Sequence, residues 1–130
     1  MRPEAQKHLS RAEKLLSASE TLIGGGFPAD SVSRSYYGMF HAATAVLLEL
    51  GVQRSSHRAV WAAFGQFVVR EGLIDTCYHR AGLDMARARS DSDYLAEPED
   101  TLENAQDDLL MAREFVAACR SFLDKQGASQ

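Results

Sequence analysis

The sequence predicts an all-α protein, an up-and-down antiparallel bundle of four long helices plus one short helix. Apolar residues recur at spacings of three and four through five segments, and no stretch alternates apolar and polar residues as a half-buried strand would. The links between segments are short, which favours antiparallel neighbours. The 130 residues, 45% apolar and 25% charged, fit one domain, expected over residues 1–125 with 126–130 as a frayed tail.

The first helix opens on Pro3 and places Ala5, Leu9, Ala12, Leu16 and Ile23 largely on one face before Gly24, Gly25 and Gly26 end it. The second starts near Pro28, as a first-turn residue, or Asp30, as a cap, and runs to Leu50 before Gly51. It is the predicted central helix. Its stretch Ser33 to Ala43 mixes Tyr36, Tyr37 and Phe40 with the small Gly38, Ala42 and Ala43, so neighbours can approach on more than one side. A third helix, capped by Ser55 or Ser56, carries Val60, Trp61, Phe64, Phe67 and Val68 until Gly72 breaks it. Leu73 and Ile74 open a fourth, with Ile74, Tyr78, Ala81, Met85 and Ala88 on one face, followed by a polar, acidic loop from Ser90 to Pro98. Asp100 and Glu103 have the spacing of a capping box for the last helix, in which Leu102, Ala105, Leu109, Ala112, Val116, Cys119 and Leu123 keep the three-four alternation.

The formal charge of -4 argues against a generic nucleic-acid binder, whose affinity comes from Lys and Arg, but leaves room for a local basic patch. Cys77 and Cys119 fall at apolar-periodic positions and are expected as buried free thiols, which suits a cytoplasmic protein. No apolar run approaches the roughly 20 residues that span a bilayer, so no membrane role is expected. Phosphate loops, nucleophile elbows, His-Glu-x-x-His and Cys-x-x-Cys are all missing. His8, His41, His57 and His79 are scattered without ligand spacing, so neither a metal nor another cofactor is expected.

Two polar concentrations remain. In the first, Arg34 with Tyr36 and Tyr37 either packs and pairs structurally or forms a patch in which Arg34 offers a bidentate donor to phosphate. His41 nearby is either a hydrogen-bonded core histidine or an acid-base group. The second is Arg87-Ala88-Arg89-Ser90-Asp91-Ser92-Asp93-Tyr94. Its arginines either complement a helix C-terminus and the aspartates, or Arg87 and Arg89 hold phosphate in a groove while Tyr94 presents its hydroxyl.

Ser33 to Ala43, Ser56-His57-Arg58-Ala59-Val60 with Phe64-Gly65, and Arg89 through Asp93-Tyr94 into the Glu97-Pro98 to Glu103 helix start together resemble a HEPN domain. The resemblance covers nearly the whole chain and implies a helical bundle that dimerises, with a polar groove at the dimer interface. Helices two and four are the expected interface, because both polar clusters lie on them. Ribonuclease members of the family carry Arg-x4-His-x-Tyr; laid on this chain with Tyr94 as the Tyr, Arg87 takes the Arg position and Ser92 stands where the His belongs. A Ser cannot exchange protons near neutral pH as imidazole does, so the resemblance implies a non-catalytic member. Another family branch pairs with minimal nucleotidyltransferases, some of which transfer AMP to the motif Tyr, here Tyr94. The expectation is therefore a homodimer that binds nucleotide or RNA through Arg87, Arg89, Tyr94 and Arg34 and partners a nucleotidyltransferase. The alternatives are a ribonuclease toxin with a degenerate site, for which Arg87 and His41 are the catalytic candidates, and a protein-interaction scaffold.

Overall fold

The computed structural model describes the backbone of residues 1–128 and the side chains of all of these except Ser92 and Ala128. Five α-helices follow in order: α1 (Pro3–Gly25), α2 (Pro28–Glu49), α3 (His57–Phe64), α4 (Thr76–Tyr94) and α5 (Leu102–Ala128). Among the described residues there is no strand, and no helix is long and apolar enough to cross a membrane.

Helix boundaries follow local chemistry. Gly26 takes the left-handed conformation (φ 84°) that a side chain would strain, its N–H reaches the Ile23 carbonyl, and the Phe27 N–H reaches that of Leu22 at 2.8 Å. Gly51 (φ 80°) closes α2 the same way, with Val52 N–H on the Leu47 carbonyl. Pro28 occupies the first turn of α2, and Ser56 is the residue that caps α3, accepting from Ala59 N–H at 3.1 Å.

Four expectations need correction. The third predicted helix is divided: α3 stops at Phe64 and Gly65–Val69 forms a π-helical turn, which closes on Arg70 N–H to Gly65 carbonyl at 2.9 Å. The fourth helix opens at Thr76 instead of Leu73, because the Asp75 carboxylate accepts from Cys77 N–H and caps it there. Its far end runs through residues assigned to the Ser90–Pro98 loop as far as Tyr94, supported by the Arg89–Asp93 ion pair one turn apart at 3.5 Å. The cap of α5 is Thr101 with Asn104, each side chain accepting from the other's backbone N–H, one residue beyond the predicted Asp100 and Glu103; Asp100 instead accepts from the Asn104 amide. Residues 129 and 130 of the expected tail lie outside the described residues.

α2 is the hub of the bundle and meets α1, α3, α4 and α5. It runs antiparallel to α1 at close range, since a Cβ on Gly38 would lie 2.7 Å from Leu16. One end of this pair is fastened by three fully buried serines: Ser19 Oγ donates to the Ser31 carbonyl at 2.9 Å and lies within 2.8 Å of the hydroxyls of Ser31 and Ser35. α5 runs antiparallel to α1, with Arg113 on Glu20 and Arg120 on Glu13. The core between the helices holds Leu9, Val32, Tyr36, Met39, Leu47, Phe64, Phe115 and Leu123. Both cysteines are free thiols, but only Cys119 is buried. Cys77, in the first turn of α4 beside its cap, is exposed, so the apolar spacing misled at that position.

Candidate functional site

Tyr36 from α2, the α3 face of His57, Arg58 and Trp61, and the α4 face of His79, Leu83 and Arg89 enclose a cleft of about 350 Å³. The α4 residues follow helical spacing, so one stripe of that helix supplies them all. Two glycines bring α3 and α4 together. A Cβ on Gly82 would lie 2.4 Å from the Trp61 ring, and one on Gly65 would lie 2.9 Å from the His79 imidazole. Each glycine thus accepts an aromatic ring against bare backbone.

The polar groups of the cleft form a connected chain. Trp61 Nε1–H can only donate, and it donates to Tyr36 Oη at 3.1 Å. The Tyr36 hydroxyl also meets His57 Nδ1 at 2.8 Å, a contact in which either group can donate, according to the tautomer of His57. Burial, and after it the positive charge of Arg89, holds the His57 pKa below the usual histidine value. Burial likewise raises that of Tyr36. His57 also stacks on Phe40 with ring centroids 4.3 Å apart. On the opposite wall, His79 Nε2–H donates to the Trp61 carbonyl at 3.0 Å, so its tautomer is fixed.

Arg89 roofs the cleft. Its guanidinium lies 5.1 Å from the Tyr36 ring centroid and 5.6 Å from that of Tyr37, within cation–π range. Its side chain is 15% exposed and bonds Asp93 through Nη1, while the buried Nε–H has no acceptor among the described residues. A buried guanidinium donor without an acceptor, over an aromatic wall, is a group prepared for an anion.

Of the residues proposed from the sequence, Arg89 and Tyr36 line this cleft. Arg87, two positions before Arg89, is exposed on another face of α4, and Arg34 is exposed on α2; neither lines the cleft. Tyr94 is 78% exposed at the end of α4, also outside the cleft. Ser92 lies in α4, with its side chain outside the described residues. His41 faces α1, where its Nδ1 meets His8 Nδ1 at 3.0 Å. Ring centroids 5.2 Å apart at that separation put the two nitrogens head-on, so a single proton holds the pair. Burial first, then His8, Arg11 and His57, lowers the His41 pKa to about 4. Among the described residues no group of three His, Cys, Asp or Glu side chains could hold a metal ion.

Sequence reasoning did not select His57, Arg58, Trp61 or His79 for the site. The signal that could have found two of them is the four-residue spacing of His57 and Trp61, which puts both on one face of α3.

A five-helix bundle with an arginine-roofed aromatic cleft between its second, third and fourth helices defines the class of protein. The family model described as HEPN domain matches residues 5–122, and the chain belongs to this family. It is 34% identical over 116 residues to a protein named putative toxin from Methanocaldococcus jannaschii, covering 89% of this chain and 86% of that protein. It is 39% identical over 94 residues to a UPF0332 protein of Gloeobacter violaceus, covering 72% of this chain and 75% of the relative. A UPF0332 protein of Pyrococcus horikoshii matches at 39% identity over 88 residues, 68% of this chain and 60% of the relative's length. The fold is similar to that of the crystal structure of TT1696 from Thermus thermophilus, with a TM-score of 0.77 and 16% identity over 93% of this chain and 99% of the other.

Proposed function

We propose that this chain is a toxin-like, non-catalytic HEPN protein that binds nucleotide or RNA in the cleft between α2, α3 and α4, as a homodimer partnered by a nucleotidyltransferase. The observation that carries the binding reading is Arg89: a mostly buried guanidinium whose Nε–H lacks an acceptor among the described residues, beside Arg58 and an aromatic wall. Such a wall stacks a nucleobase while the guanidinium holds phosphate. The cleft is locally basic in a chain of net charge -4, which favours a short, placed ligand over nonspecific coating of a polyanion. The names of the relatives support the toxin-like role, and the family resemblance supports the dimer and the nucleotidyltransferase partner, with Tyr94 as AMP acceptor on an exposed helix end.

The test is titration of nucleotides and short RNAs at low and moderate salt. Arg89→Ala should weaken a salt-sensitive association at least tenfold, whereas Arg87→Ala, on the other face, should act only through long-range charge. Absence of binding at low salt removes the reading. A monomer in light scattering at micromolar concentration removes the dimer, and failure to co-purify with a co-expressed nucleotidyltransferase removes that partnership.

One observation favours a second reading, a metal-independent ribonuclease with an atypical residue set. His57 brings a neutral imidazole into the same cleft as Arg89, although Ser92 stands at the motif position of the His. Cleavage of RNA that disappears in both His57→Gln and Arg89→Ala would establish it in place of the binding role.

A further inference from the structure

We propose that the cleft takes up a proton when it binds a phosphodiester, and that His57 Nδ1 receives it. The inference rests on the binding reading above and deepens it by naming the ligand group and its proton linkage.

Burial opposes a proton on His57 first, and two local features add to it. In the proposed free state the Tyr36 hydroxyl donates to Nδ1, one of the two directions the 2.8 Å contact allows, and Arg89 places a positive charge nearby. The groups facing His57 are Tyr36, Tyr37 and His41 from α2, its neighbour Arg58 in α3, and Arg89 from α4 with Asp93 behind it. The cation Arg89 disfavours an imidazolium there, and Asp93 is engaged by Arg89.

A phosphodiester under Arg89 acts on both local features at once, and its negative charge beside the ring offsets the cost of burying an imidazolium. Its charge offsets the guanidinium, whose Nε–H gains the acceptor it lacks. Its oxygens also offer the Tyr36 hydroxyl a new acceptor on the cleft side. Tyr36 then turns its hydrogen to the ligand and accepts from His57 Nδ1–H, while still accepting from Trp61 Nε1–H. One proton passes from solvent to His57, and no covalent bond forms or breaks. The other cleft imidazole, His79, is on the opposite wall, where Nε2–H donates to the Trp61 carbonyl and the ring lies against Gly65.

The probe is a deoxydinucleotide, whose single phosphodiester charge is constant between about pH 5.5 and about pH 8 and which has no 2′-hydroxyl to react. Calorimetric titration of the intact chain at low salt should show affinity rising as pH falls across this range, by up to about tenfold per pH unit, the limit that uptake of one proton sets. Repeating it in buffers of different ionisation enthalpy should show net proton uptake. His57→Gln should still bind but lose the pH dependence. Tyr36→Phe should flatten it, because Nδ1 is then no longer held by a donor. Circular dichroism checks that both variants are folded, and the ring signals of His57 in the unaltered chain, which need no variant, should titrate at higher pH with ligand than without. Binding with no uptake, or with a pH slope that persists in His57→Gln, overturns this inference and leaves the binding reading standing. No binding at any pH overturns both.

Discussion

Adding one methyl group at Gly82 tests the geometry on which the cleft depends. An alanine Cβ there would sit 2.4 Å and 2.5 Å from two atoms of the Trp61 ring, about 1 Å inside ordinary contact. Trp61 has little room to retreat: its indole is packed edge-on to Phe64 and Phe115, with centroids 6.0 Å and 5.8 Å away, and its N–H is tied to Tyr36. Two effects oppose each other. Alanine gains about 1 kcal/mol over glycine in a helix interior, whereas overpacking costs roughly 1–3 kcal/mol. The clash wins, by up to about 2 kcal/mol, or up to roughly 8 °C in Tm for a domain of this size. Urea denaturation followed by far-UV circular dichroism measures the loss. Because Trp61 is the sole tryptophan, native-state emission and iodide quenching report separately whether the ring has shifted. Gly24→Ala is the control: it is helical, with no atom within 4 Å of the new Cβ, so the propensity gain of about 0.5–1 kcal/mol should stand alone. If Gly82→Ala stabilises the chain as much as the control and leaves emission unchanged, α3 and α4 do not approach as described and the cleft is not built this way.

Three further outcomes follow from the same contacts. The His41 pKa, about 4 in the fold against about 6.5 unfolded, means that the unfolded chain binds the extra proton between those values; this contribution is complete above about pH 6.5 and lost toward about pH 4. Discounting for partial exposure, it should amount to about 1–2 kcal/mol, read as a difference in urea-derived stability slopes between His41→Gln and the unaltered chain. Ser19→Ala leaves the Ser31 carbonyl and two buried hydroxyls short of a partner and should cost about 1–3 kcal/mol, which chemical denaturation measures. Ellman's reagent should titrate Cys77 in the native chain and reach Cys119 only on unfolding, since Cys119 is fully buried and burial raises its thiol pKa.

Helix ends were legible where the signal is local. Gly26, Gly51 and Gly72 each adopt positive φ within three residues of the end of a helical segment, and nothing distant is needed to place those turns. The length of α4 was not, because Ser90 to Asp93 read as a polar loop in isolation and only a pair such as Arg89 with Asp93 favours continued helix. The cap of α5 slipped by one residue for a related reason: Asp100, Thr101, Glu103 and Asn104 offer two overlapping boxes, and local sequence ranks them poorly.

The site was half legible for a reason that also says what kind of site it is. Arg89 belongs to a dense polar run and draws attention from sequence alone. His57, Trp61 and His79 do not, since each is an isolated aromatic in an amphipathic helix, and what gathers them is the contact of Trp61 with Gly82 and of His79 with Gly65. Those glycines read as helix weaknesses in the sequence, yet each costs only about 1 kcal/mol of propensity and admits a large ring at backbone distance. The π-helical turn begins at one of them, Gly65, beside the wall that His79 supplies. The cleft therefore depends less on its charged residues than on two absent side chains. Replacing Arg89 should empty the anion seat while keeping its walls, whereas filling Gly82 should move the wall and the Trp61–Tyr36–His57 chain together.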